Sequence, residues 1–187
     1  MNFQVHHLQV LDKIALSMVS PEDIRDTDEW EHLDSVIDVR EYYRQNGADE
    51  TIQTIVALEN RKFGSTIEKL IREIFSLATP ESTQHDAIFQ NEDRSVKLEI
   101  KAARYWAGTA NCKWQHLEPE YDYSHILFVL VDFDCFRVWV AEKKALFAGG
   151  YLARQGNQGY WGDKESLLEC GLLTEVVDKG DLSDYLS

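Results

Sequence analysis

HDAIF at 85–89 and VKLEIKAARYW at 96–106 decide how this chain is read. The polar tip NEDRS (91–95) between them is turn chemistry. Side chains alternate across a strand, so Glu99 and Lys101 point one way while Leu98 and Ile100 point the other. Pairing symmetrical about Glu92 and Asp93 sets Asp86 opposite Glu99. One face then reads Ala87, Phe89, Leu98, Ile100, and the other Asp86, Glu99, Lys101. Two carboxylates and an ammonium at a sheet edge can hold a divalent cation and a water, which hydrolysis of a phosphodiester requires.

The rest of the 187 residues gives this hairpin a setting. Apolar residues recur at helical spacing over 3–19, 28–45 and 49–61, with Asn46-Gly47 ending the second stretch. A fourth helix is expected from Ser65, where STIE reads as a capping box with Glu68, to the stop at Thr79-Pro80. Beyond the hairpin, 124–133 (SHILFVLVDF) reads as a strand buried on both faces, and 135–142 (CFRVWVAE) as its alternating neighbour. KKALFA and DKESLLECG read as short helices, 151–163 as an exposed glycine-rich loop, and the polar tail as frayed. Helices first, then strands, then small helices predict an α/β or α+β fold. The expected sheet is mixed, with about four or five strands covered by helices.

One domain is the default at this length. Within it, residues 1–62 form an N-terminal helical part suited to dimerisation, 63–142 the core, and 143–187 a C-terminal loop and helix part. The longest apolar run, Ile126–Val131, is far too short to span a bilayer. The segment MNFQVHHLQVLDK lacks the basic and apolar regions of a secretion signal. Cys112, Cys135 and Cys170 show neither a disulfide framework nor zinc-site spacing, so a cytoplasmic location is expected.

A net charge of −14 argues against nucleic acid as a partner unless it is unevenly spread. It is uneven. Residues 1–60 carry 13 acids and 4 bases, 61–115 carry 7 and 9, and 116–187 carry 13 and 6. The hairpin lies in the one non-acidic third, where bound divalent ions would add positive charge.

An acid-x-Lys triplet alone is weak, since a solvated strand face with alternating charges has the same spelling. Here an acid stands at matching register, the triplet lies in an apolar strand, and a helix with Glu68 precedes it. This order, with WQHLEP and then ILFVLVDFD…VWVAEK following, resembles the PD-(D/E)xK nuclease superfamily, most of all the type II restriction endonucleases. The resemblance covers Phe63 to about Glu142, and His85 stands where the family's name has Pro.

The resemblance implies a restriction-endonuclease-like core and a Mg²⁺-dependent DNA endonuclease, with Mn²⁺ a possible substitute. Asp86 would bridge cation and scissile phosphate. Glu99 and the Ile100 carbonyl would ligate the same ion. Lys101 would orient or deprotonate the attacking water. Glu68 matches the family's helical acid, acting through a water, and equally fits a plain capping residue. Gln115 is a candidate to stand near Lys101 and help place water.

Arg104, Tyr105, Trp106, Lys113, Trp114 and His116 follow the site and are candidates for DNA contact, with the two Trp equally readable as core. Arg154, Gln155, Asn157 and Gln158 could read base edges or lie in a loop without a role. A symmetric target implies a homodimer on double-stranded DNA. Alternatives are a repair, transposition or phage nuclease of the same fold, a non-catalytic binding protein on a decayed nuclease fold, or an acidic interaction protein.

Overall fold

A computed structural model describes residues 38–156 and 159–187. The predicted helix over 3–19, the first part of that over 28–45, and Asn157 and Gln158 lie outside the described residues.

The chain runs α1 (Val39–Gln45), α2 (Glu50–Val56), α3 (Asn60–Ile74), β1 (Ala87–Gln90), β2 (Ser95–Arg104), β3 (Lys113–Leu117), β4 (His125–Val131), β5 (Phe136–Glu142) and α4 (Lys143–Ala148). It continues through β6 (Ala153–Arg154), β7 (Tyr160–Asp163), α5 (Lys164–Glu169), β8 (Thr174–Glu175) and α6 (Lys179–Leu186). The expected mixed α/β architecture is present as a five-stranded sheet in the order β1-β2-β4-β5-β8. Only β2 and β4 are parallel; the other neighbours are antiparallel. A parallel pair needs a long crossover, and 105–124 supplies it. That crossover contains β3, which joins β7 and β6 in a second, three-stranded sheet.

The hairpin register is the one its symmetry predicts. Ala87 pairs with Leu98 and Phe89 with Val96. The turn closes with the Asn91 amide on the Arg94 carbonyl at 3.0 Å and the Asp93 amide on the Asn91 side chain at 3.2 Å. Strand β4 is the central element, with Ile126 to Val131 all at or below 1% exposure, as a strand covered on both faces requires. Across the sheet, Glu99 pairs with Ile126 and on to Ala141, and Lys101 pairs with Phe128 and on to Trp139. Paired residues share a face, so the polar site and these apolar side chains lie on one side of the sheet.

The second sheet packs on that face. Trp114 of β3 is fully buried, with its ring centroid 5.1 Å from Phe128 and 6.0 Å from Trp139, and its indole donates to the Val129 carbonyl at 2.9 Å. Helix α1 braces the sheet elsewhere. The buried Tyr43 of α1 donates its hydroxyl to the Val131 carbonyl at 2.5 Å and accepts the Tyr105 amide at 2.9 Å. Tyr43→Phe strips both backbone groups of their partner, so a destabilisation of about 2 kcal/mol is expected in urea unfolding. A change under a few tenths would mean the hydroxyl is dispensable.

Four local expectations need correction. The third helix starts under Asp49, whose carboxylate accepts the Ile52 amide at 2.8 Å, but stops at Val56 rather than running to 61. The next helix begins at Asn60, so Ser65 lies inside it and caps nothing; its hydroxyl donates to the Lys62 carbonyl at 3.1 Å. In place of the loop expected over 151–163, Ala153–Arg154 and Tyr160–Asp163 pair as the β6–β7 hairpin, with the Gln155 amide on the Gly159 carbonyl at 2.9 Å. Gly159 has φ +73°, and a Cβ there would meet a Glu118 oxygen at 2.6 Å, so the turn needs glycine. The tail forms α6, pinned by buried Leu182 and Leu186 and by Arg94 donating to the Leu186 carbonyl. The three cysteines carry free thiols. Among the described residues no helix is long and apolar enough to cross a membrane.

Candidate active site

The site grows out of the end of β1. The Asp86 amide donates at 2.9 Å to the carbonyl of Leu98, the residue already paired with Ala87, so Asp86 stands just outside the ladder, which ends before the expected pairing with Glu99. Its carboxylate then turns along β2 and accepts the Ile100 amide at 2.8 Å. A residue's N–H and C=O leave a strand on the same edge, so the Ile100 carbonyl also faces the Asp86 side. Helix α3 passes the same corner. Its Arg72 donates to the Asp86 carbonyl at 2.9 Å, and one turn earlier Glu68 lies in the field of Asp86 and Lys101.

Glu99 is 4% exposed, buried as few carboxylates are, and its Oε1 is 2.5 Å from Lys101 Nζ. The Lys101 side chain is itself only 19% exposed. Burial pushes the Glu99 carboxyl up to about 7, and the Asp86 and Glu68 charges push the same way. Lys101 opposes them without winning. The ion pair and the raised carboxyl pull in opposite senses, and desolvation decides. Burial also lifts Glu68 to about 7, helped by Asp86 and opposed by Lys101 and Arg72.

Three acids and a lysine therefore converge, but the carboxylates do not close on one point. Among the described residues no three or more His, Cys, Asp or Glu side chains form a metal-holding group. The contacts show why: the Ile100 amide takes Asp86, and the Lys101 ammonium stands at Glu99 where a cation would. The donor chemistry fits a hard divalent ion. Two carboxylates and a main-chain carbonyl are oxygen ligands only, and their mutual repulsion is relieved by positive charge between them.

The remaining candidates divide. The Arg104 guanidinium donates to the Val56 carbonyl, to the Leu58 carbonyl at 2.7 Å and to Asn60 Oδ1 at 2.9 Å, and lies 4.6 Å from the centre of the Phe63 ring. It staples β2 to the α2–α3 junction, so its expected DNA contact gives way to a structural role. Tyr105 is 6% exposed, its ring packed on Tyr43 and Phe133, which removes it from a DNA-facing surface. Trp114 belongs to the core.

Trp106 is 45% exposed, and Lys113 Nζ sits 5.1 Å from its ring centre and 3.8 Å from that of Trp161. This cation between two indoles keeps Trp106 and Lys113 as surface candidates and adds Trp161. Gln115 and His116 are exposed on β3, and among the described residues Gln115 has no hydrogen bond to Lys101. Arg154 is exposed on β6. Gln155 keeps a buried side-chain oxygen without a partner, which places part of it inward rather than toward DNA.

Arg72, Lys97, Tyr123 and Lys143 were not singled out by the sequence. Arg72 lies four residues after Glu68, and Lys97 two before Glu99, so helical and strand periodicity held a signal for both. Tyr123 and Lys143 both feel the Glu99 charge across the sheet, a proximity no local spacing encodes. Neither protein-family models nor curated proteins give a match to this chain.

Proposed function

We propose that this protein is a divalent-metal-dependent DNA endonuclease of the PD-(D/E)xK kind, with type II restriction endonucleases as the nearest class. The supporting observation is the corner these residues share: the Asp86 carboxylate on the Ile100 amide at 2.8 Å, Lys101 2.5 Å from Glu99, and Glu68 of α3 in the field of Asp86 and Lys101. Asp86, Glu99 and the Ile100 carbonyl are the groups that would hold Mg²⁺, or Mn²⁺ in its place. The ion would supply Lewis acidity at the phosphate oxygens. Lys101, released from Glu99, has an ammonium to set a water in line with phosphorus and to steady charge as the 3′ oxygen departs. Glu68 stands close enough to take part in that water's proton traffic, and a carboxyl near 7 is matched to such work at neutral pH.

A palindromic DNA target would need two copies, and a homodimer is part of the proposal. The test is supercoiled plasmid incubated with and without Mg²⁺. Discrete linear fragments support a sequence-specific restriction enzyme. Smearing or loss from ends supports a repair or phage-type nuclease on the same machinery. Intact plasmid with both Mg²⁺ and Mn²⁺ would overturn the nuclease reading.

A further inference from the structure

We propose that Lys97 and Lys143 form a second phosphate seat, which holds the DNA backbone one nucleotide away from the scissile phosphate at Glu99 and Lys101. This rests on the nuclease reading above. Two backbone hydrogen bonds just past the end of the main sheet's ladders bring the two lysines together. The Ser124 amide donates to the Lys97 carbonyl at 3.0 Å, and the Lys143 amide donates to the Ser124 carbonyl at 2.9 Å. Lys97, Ser124 and Lys143 therefore form a row across three neighbouring chain segments. Lys97 lies two residues before Glu99 along β2 and shares its face, and Lys143, the first residue of α4, feels the Glu99 and Asp122 charges. Two strand steps span about 7 Å, the reach of one nucleotide of extended backbone.

The two ends of this face differ. At the Lys101 row, Trp114 packs down on Phe128 and Trp139 and closes the surface. At the Lys97 row the side chains open to solvent, with Lys97 at 41% and Asp122 at 60% side-chain exposure. A backbone leaving the buried pair of Glu99 and Lys101 along β2 in that direction meets Lys97 and Lys143 next.

Both ammonium groups are held in place. Lys143 Nζ donates to the Tyr121 carbonyl at 2.6 Å and lies 4.2 Å from the centre of the Tyr123 ring. Lys97 Nζ is paired with Asp122, between those two tyrosines in sequence. The Lys97–Asp122 pair is exposed, so solvent screens its attraction. A phosphate can therefore displace the Asp122 carboxylate at little cost. Asp122 then competes with DNA for the same lysine. A purely structural ion pair predicts no such competition.

The experiment measures binding of a duplex DNA with Ca²⁺ replacing Mg²⁺, between 50 and 200 mM salt. The K97A/K143A double variant should bind about tenfold more weakly, with a log–log salt slope smaller by about one, the signature of one lost phosphate contact. The K97R/K143R variant should restore both, and K179A on α6 should change neither. Asp122→Asn should bind more tightly than the unaltered protein.

Unchanged slope and affinity in the double variant, or weaker binding by D122N, overturns the second seat. If the unaltered protein cuts plasmid while the double variant binds equally well, only the seat has failed. If the slope falls as expected but nothing is cut, only the nuclease reading has failed. Absence of duplex binding at every salt concentration sinks both.

Discussion

Lys101→Met is expected to slow plasmid cleavage by roughly 10² to 10⁴-fold, the range for losing a positioned acid–base group, while leaving divalent-cation affinity at pH 8 equal or higher. The two halves of that expectation come from one contact. Lys101 Nζ stands 2.5 Å from Glu99 Oε1, in the space a cation must share. Removing the ammonium takes away the group proposed to direct the water. It also takes away a like charge that resists the incoming ion. A lysine that merely neutralised Glu99 would give the opposite pattern: weaker folding, disturbed metal binding and a modest effect on turnover. Mg²⁺ titration by calorimetry beside a plasmid assay separates the cases. Methionine keeps the bulk of the stem in its half-buried slot, so loss of packing does not confuse the result. Cleavage within about threefold of the unaltered protein would remove Lys101 from the mechanism.

The hairpin could be read in advance because its information is local. A polar tip fixes the register, strand alternation fixes the faces, and Asp86, Glu99 and Lys101 follow within sixteen residues. The buried run of β4 and its neighbour β5 were equally legible, since six consecutive apolar residues fit no exposed strand. What failed was whatever depends on a partner distant in sequence. Ser65 has the spelling of a helix cap, yet α3 starts five residues earlier at Asn60, with Arg61 and Lys62 of good helical propensity and buried Phe63 carrying it past Gly64. Arg104 looks like a phosphate ligand until the carbonyls at 56 and 58, two helices away, are seen to occupy it. The segment 151–163 has loop composition, but the exposed edge of β3 gives its backbone a ladder to join.

The candidate site shows the same division. Which acids belong to it was visible in the alternation; how they are poised was not. Glu99 is buried among groups that sequence spacing cannot bring to it: Ile126 of β4 beside it in the sheet, and Glu68 and Tyr123 within its field. The same holds for Lys143, which nothing in its local sequence ties to the hairpin. The backbone hydrogen bonds of Ser124 carry it to the Lys97 row.

Divalent-cation affinity is expected to fall about thirtyfold from pH 8 to pH 5.5, because Glu99, with its carboxyl near 7, must surrender a proton to become a ligand. Glu68, also near 7, steepens the fall wherever its charge assists the ion. Without divalent cations the same groups act on stability in the reverse sense. A carboxyl whose folded value lies above its unfolded value of roughly 4.3 binds its proton more tightly in the native state. That contribution is complete below about pH 4 and is lost as pH rises through about 7. In chelator, the melting temperature should therefore decline between pH 5 and 8 from these two groups. Added Mg²⁺ should raise it most at pH 8, where both carboxylates are already ionised. Calorimetry in two buffers of different ionisation enthalpy counts the released protons directly, with more expected at pH 6 than at pH 8. Glu99→Gln should flatten both profiles, since the amide neither titrates nor binds the ion as a carboxylate does. A Mg²⁺-induced shift of the same size at pH 5.5 and pH 8 would mean that Glu99 does not hold the ion.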